Sequence, residues 1–149
     1  MLNQSKAFSY LNFFLFFSFV IFFLRITLNI HLDLPLHFDE AQYWDWSQNL
    51  DWGYFSKPPL LAFLIRIVTE LCGNGESCIR SLSPFLHSLT SLIVFYSVYL
   101  LTKSFKKGLL GSFLYLLMPG ISFSSFLIST DIPLLLFSSL IALCIIKIF

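Results

Sequence analysis

The sequence predicts an all-α, polytopic membrane protein with about four transmembrane helices and a long first outer loop. Composition is the first reason: 57% of the 149 residues are hydrophobic and only 11% are charged. Soluble domains carry about 25% charged residues. The second reason is size, because a water-soluble fold this short cannot bury so much apolar surface, including 19 phenylalanines. The third is the recurrence of uncharged windows long enough to cross a bilayer.

The first window, Ala7 to Leu24, holds 18 uncharged residues between Lys6 and Arg25. At about 1.5 Å per residue it covers roughly 27 Å, close to the hydrocarbon core of roughly 30 Å. A secretory signal has the same opening, a lysine followed by an apolar run. This run is long, however, and no small-residue cleavage site appears before Arg25, so an uncleaved helix is the better reading. Ser81 to Thr102 and Gly108 to Thr130 are also uncharged, and a shorter apolar stretch begins at Ile132. The spans are therefore placed at about 7–29, 81–102, 108–129 and 132–149, with Pro119-Gly120 marking a kink in the third. The outer loop is placed at 31–80.

Charge gives the orientation. Loops rich in Lys and Arg stay cytoplasmic. With four spans, Lys6, Lys103, Lys106, Lys107 and Lys147 share one side, the cytoplasmic one. Asp33, Asp39, Glu40, Asp45, Asp51, Glu70, Glu76 and Asp131, all eight acids of the chain, share the other. The expected location is the cell's inner (plasma) membrane, with a cytoplasmic N-terminus and a periplasmic or extracellular first loop.

That loop is too long for a simple connection, and two short helices are expected in it. Phe38 to Asn49 contains neither Gly nor Pro and follows Pro35. Asp39 sits in its first turn, where the helix dipole favours a carboxylate. Asp39, Gln42, Tyr43 and Trp46 share a face by spacing. Pro58 to Leu71 is the second, with Ser56 near its N-cap, proline in its first turn and an Arg66–Glu70 i, i+4 pair. It is too short to span and too greasy for water, so it reads as interfacial. Trp44, Trp46 and Trp52, with Tyr43 and Tyr54, form either a headgroup-level aromatic belt or a platform for a sugar or prenyl chain; both can hold together.

Several residues carry candidate chemistry, each with a plainer reading beside it. Asp39 and Glu40 point about 100° apart on a helix, so they are no face-to-face pair, but either is a candidate base, while an Asp near a helix start is, taken alone, usually a cap. Lys57, ahead of Pro58-Pro59, combines its charge with a helix N-terminus, which attracts phosphate; a snorkelling lysine fits equally. Arg80 anchors the start of the second span or faces a ligand. Asp131, before Ile132-Pro133, is an N-cap or part of a site rim. Cys72 and Cys78 are a disulfide or two free thiols, and Cys144 is packing. His31, His37 and His87 lack metal-ligand spacing, with His87 read as a packed neutral histidine. No phosphate-binding glycine loop, internal repeat or nucleic-acid signature is present.

The run Asp39-Glu40-Ala41-Gln42-Tyr43-Trp44-Asp45-Trp46-Ser47, followed by Leu50-Asp51-Trp52-Gly53-Tyr54-Phe55-Ser56-Lys57-Pro58-Pro59-Leu60, resembles the first outer loop of bacterial C-type (GT-C) membrane glycosyltransferases. These are relatives of protein O-mannosyltransferases and lipid A aminoarabinose transferases. Arg80 and Thr130-Asp131-Ile132-Pro133 also stand where such proteins carry similar residues. The resemblance implies transfer of a sugar from a polyprenyl-phosphate donor to a lipid, polysaccharide or protein acceptor at the outer membrane face. It implies Asp39 as general base, Asp131 as a second site carboxylate and Lys57 as phosphate holder. Glu40, Tyr43, Trp46, Tyr54 and Arg80 complete the substrate-binding set. Cations that stabilise the leaving phosphate would make its protonation unnecessary. No cofactor is called for, with a divalent metal left open, and nucleic acid is not an expected partner.

Gln42 and Ser56 depart from the aminoarabinose transferases, which tend to carry Arg and an acid there, and this argues against that substrate. Family members are also several times as long, so the resemblance is to their N-terminal part, and the chain is expected to be incomplete as an enzyme. The alternatives are an inactive membrane module, or a small transporter or channel subunit. A transporter is expected to carry charges inside its spans or to show paired broken helices, and here the charges are read as avoiding the spans, which counts against it.

Overall fold

The computed structural model describes residues 4–32 and 34–148. Asp33, counted above among the outer acids, lies outside the described residues, as does the side chain of Lys6. Among the described residues the secondary structure is helical throughout. Helix α1 (Gln4–Leu32) contains no Gly or Pro and stops ahead of Pro35. Helix α2 (Phe38–Gln48) starts where the His37 backbone N–H donates to the Glu40 carboxylate at 2.8 Å, which satisfies a donor the helix start would leave orphaned. Helix α3 (Leu60–Cys72) follows Pro58-Pro59 and ends at Gly73, whose φ of 89° suits a residue without Cβ.

Helix α4 (Glu76–Thr102) runs unbroken through a buried Pro84 and ends at Lys103 in the left-handed region. The stretch read as one span, 108–129, is folded as two helices, α5 (Phe105–Leu117) and α6 (Pro119–Ser124), followed by a non-helical link to residue 130. The break falls at Met118, extended at φ −58°, ψ 129°, because proline pushes its preceding residue out of the α region. Helix α7 (Asp131–Ile148) closes the bundle.

Three of these helices are long and apolar enough to cross a membrane: Ser9–Leu32, Glu76–Thr102 and Asp131–Ile148. The broken pair α5–α6 runs back along α4. Its start packs on α4 at Tyr99–Phe105, with ring centroids 4.3 Å apart. Its far end meets α1, where the Asn29 side chain donates to the Ser125 carbonyl at 3.3 Å. Gly108 makes the α4–α5 contact close: a Cβ there would lie 2.9 Å from the Phe95 carbonyl oxygen, the small-residue packing by which membrane helices approach.

Helix α4 is the hub, touching α1, α3, α5 and α7. At the α1 C-terminal end, Tyr43, Leu61, Ile65, Ile79, Leu82, Leu86, Ile128 and Ile132 form one buried cluster. It welds the loop helices α2 and α3 to α4 and to the start of α7. At the opposite end, the Lys147 ammonium lies 5.4 Å from the Tyr96 ring, and Lys103, Lys106 and Lys107 cap the α4–α5 turn.

Candidate active site

The site grows from an ion pair that bolts α2 down. Adjacent positions on a helix diverge by about 100°, so α2 turns Glu40 inward and Asp39 outward: Glu40 is 2% exposed, while Asp39 is open. Arg80 at the start of α4 meets Glu40 through two bonds, Nε to Oε1 at 3.0 Å and Nη2 to Oε2 at 2.6 Å. Arg80 also donates to the backbone carbonyls of Leu34 and Pro35 at 2.7 and 2.9 Å. The Ile128 backbone N–H, from the link before α7, donates to Glu40 Oε1 at 2.9 Å. Burial pushes the Glu40 carboxyl up, but the bonds from Arg80, His37 and Ile128 outweigh it and hold the group below its ordinary value. Glu40 and Arg80, expected to touch substrate, are thus turned toward each other and toward backbone. They fix three chain segments at one point.

Around that bolt the other predicted residues fall into two groups. Asp39, Tyr43, Lys57 and Asp131 form the first. Tyr43 lies one helical turn beyond Asp39, and its phenol is raised by burial first, then by the Asp39 carboxylate; the Thr130 hydroxyl, as hydrogen-bond partner, opposes the rise, and the Asp131 carboxylate adds to it. Both exposed aspartates therefore act on one phenol, which stays protonated at neutral pH and available as a donor. Beside them a groove of about 310 Å³ opens between α3 and α7, walled by Pro58, Leu60, Leu61, Asp131, Leu134 and Phe137. It is apolar apart from the Thr130–Asp131 rim, and Lys57, exposed, is the residue next to Pro58 at its mouth.

Trp46 and Tyr54 form the second group. Their rings stack at 4.5 Å and 6°. The Tyr54 hydroxyl donates to the Trp46 carbonyl at 2.9 Å and accepts from the Asp51 backbone N–H at 3.1 Å. This pair buttresses the turn that leads from α2 to Lys57, with Trp46 reaching Tyr43 at 5.8 Å. Trp52 and Phe55 project outward, almost fully exposed, as headgroup-level anchors do. Cys72 and Cys78 are joined by a disulfide that ties the end of α3 to the start of α4. Among the described residues no group of three or more His, Cys, Asp and Glu gathers as metal ligands would.

Sequence reasoning missed a polar cluster inside the bundle. Arg25, read as the boundary of an uncharged window, lies within the membrane-length stretch Ser9–Leu32 and is 5% exposed. This corrects the expectation that charges avoid the spans. The signal was present, since the apolar pattern continues through Ile26, Leu28 and Ile30 beyond the charge. His87 is fully buried as expected, with Nδ1 at 2.9 Å from the Tyr115 hydroxyl and Nε2 at 2.7 Å from the Ser124 hydroxyl. Thr130, beside Asp131, is the other residue overlooked as a neighbour of Tyr43.

The comparisons with known proteins bear on this arrangement. Residues 56–149 match the family described as dolichyl-phosphate-mannose-protein mannosyltransferase, a stretch that contains Lys57, Arg80 and Asp131 and starts after α2. The lipid A galacturonosyltransferase RgtD of Rhizobium johnstonii is 43% identical over 86 residues, covering 57% of this chain and 18% of that protein. The chain thus spans less than a fifth of the length of this curated relative. No solved structure matches. On more than half of its length, from the approach to α3 through α7, this chain belongs to the dolichyl-phosphate-mannose-protein mannosyltransferase family of GT-C membrane glycosyltransferases.

Proposed function

We propose that this chain supplies the first part of a GT-C membrane domain, residues 1–149, and with it the acidic end of a site that transfers a sugar from a polyprenyl-phosphate donor. The observation that carries the reading is the apolar groove between α3 and α7, with Thr130 and Asp131 on its rim and Pro58, the neighbour of Lys57, in its wall; the Asp39 and Asp131 charges both raise the nearby Tyr43 phenol, which supports it. Each part has a task. The groove accepts the first isoprene units, and Lys57 offsets the phosphate charge. Asp39, open and on the same helix face as Tyr43, takes the proton of the acceptor hydroxyl. The acceptor oxygen attacks the anomeric carbon, the bond from that carbon to the phosphate oxygen breaks, and polyprenyl phosphate leaves with inversion. Asp131 and the Tyr43 hydroxyl orient the sugar, with the Trp46–Tyr54 stack as a wall. Glu40 and Arg80 act as positioning residues.

The site faces away from the cytoplasm, in the inner membrane. Two features support this orientation: four described lysines gather at the opposite end, and the Cys72–Cys78 disulfide belongs in an oxidising compartment. The similarity to a lipid A galacturonosyltransferase makes a polyprenyl-phosphate uronic acid and lipid A the first donor and acceptor to try. The test is sugar transfer in membranes carrying a protein with the whole GT-C domain of which this chain is the first part, followed by mass spectrometry of lipid A, polysaccharide and protein. Asp39→Asn is expected to reduce transfer by about a hundredfold or more while insertion stays normal. Unchanged transfer by that variant removes Asp39 from the mechanism.

A further inference from the structure

Arg25 is buried in α1 without a carboxylate partner among the described residues. Among the described residues the ion pairs are Arg80–Glu40 and Arg66–Glu70. Arg25 instead donates from Nη2 to the Leu116 carbonyl at 2.6 Å and to the Ser122 hydroxyl at 3.4 Å, and its Nη1 finds no partner among the described residues. In an unbroken helix the Leu116 carbonyl would accept from the Gly120 N–H. The break at Met118 frees that carbonyl, and Arg25 caps it at the C-terminus of α5, where the helix dipole favours a cation.

Two further donors continue the hold. Ser83 of α4 donates to the Ser124 carbonyl at 2.8 Å, and Asn29 of α1 donates to the Ser125 carbonyl at 3.3 Å. Together they hold the C-terminal end of α6 from α4 and from α1. From Ser125 only a short link remains before Ile128 reaches Glu40 and Thr130 and Asp131 line the groove. The depth of α6 therefore sets where Asp131 arrives.

We propose that Arg25 is a positioning residue for the candidate site: by capping the broken end of α5 from within the membrane, it fixes the α5–α6 break and so the place at which Thr130 and Asp131 line the groove. The consequence for transfer rests on the function proposed above; the hold on the 117–130 segment does not. An unpaired buried cation is itself costly, so losing it opens the segment locally and spares the bundle.

The experiment is amide hydrogen exchange by mass spectrometry on the intact protein in lipid nanodiscs, with Arg25→Met, Arg25→Lys and Asn29→Leu. Arg25→Met is expected to raise exchange over 117–130 about tenfold, with residues 79–95 of α4 within about twofold of the parent. Arg25→Lys, which keeps a cation able to reach a carbonyl, returns the segment to within about threefold of the parent. Asn29→Leu removes only the next donor and opens 125–130. Unchanged exchange in Arg25→Met, an equal rise across 79–95, or a lysine variant no better than methionine would each overturn the proposal. Transfer assays on the same proteins add a second arm: Arg25→Met is expected to lower kcat about tenfold with the donor KM unchanged, and Arg25→Lys to restore it. Normal kcat in Arg25→Met with an opened segment refutes the link to the site. If a parent protein carrying the whole GT-C domain transfers no sugar at all, the glycosyl-transfer reading falls and the exchange data alone decide Arg25's role.

Discussion

Two arginines are buried in this chain, and they are neutralised in opposite ways. Arg80, in the outer loop's foundation, meets a full carboxylate and two backbone carbonyls. Arg25, inside the bundle, meets a freed helix carbonyl and a hydroxyl. The first arrangement joins distant segments through a charge pair that is strong only while both partners are present. The second uses a cation to stabilise a helix break that lipid would otherwise penalise. The lesson is that the outer end is held by pairing and the interior by capping, so the two respond differently to mutation and to pH.

Removing one member of the Glu40–Arg80 pair is the sharpest way to probe that difference. Glu40→Ala leaves Arg80 buried with no counter-charge and releases the His37 and Ile128 N–H groups, so a loss of about 3–5 kcal/mol is expected. Thermal unfolding in detergent and proteolysis of the 50–58 turn would report it, and the double variant Glu40→Leu/Arg80→Met should lose less than Glu40→Ala. A larger loss in the double variant breaks the comparison. Next in size is Gly108→Val, where side-chain atoms collide with the Phe95 carbonyl and ring. It should cost about 1–3 kcal/mol and loosen α5 together with the carbonyl that Arg25 caps.

Acid should separate the two regions. The Glu40 carboxyl is held below its ordinary 4.5 in the fold. Its contribution is therefore fully present above that value and lost as pH falls through the lower folded value. Proteolysis of the outer loop should accelerate in that acidic window, and Ile128, whose N–H bonds Glu40, should loosen with it, while residues 117–125 keep their protection because no carboxylate takes part in the bonds from Arg25, Asn29 and Ser83. Glu40→Gln should flatten the response of the loop. The smallest effect belongs to Arg66–Glu70, a pair at 2.6 Å on the exposed face of α3. Arg66→Ala should change stability by less than about 0.5 kcal/mol, which shows that burial, rather than the mere count of charge pairs, sets the scale.

The sequence was most legible where one physical rule dominated. Uncharged windows marked α1, α4 and α7, and the ranges read from Pro35 and Pro58-Pro59 onward placed α2 and α3 to within about two residues, the usual uncertainty of helix ends. Pro119 flagged a kink, but a residue pattern gives no measure of how far the chain unwinds after it. The divergence of Asp39 and Glu40 followed from helix geometry, yet which one faced inward depended on Arg80, 40 residues away. Long-range pairs of that kind leave no mark in a single sequence. Arg25 was misread for the opposite reason: a charge within an apolar run looks like a boundary unless the carbonyl that receives it is already known.

The most direct test of the central claim is cross-linking of Asp39→Cys to Asp131→Cys in membranes, in a Cys144→Ser background that keeps the Cys72–Cys78 disulfide. Both positions should react with a membrane-impermeant maleimide from the non-cytoplasmic side, and a short bifunctional maleimide should join them. Labelling from opposite faces, or joint labelling without any cross-link, would contradict a shared site at Tyr43.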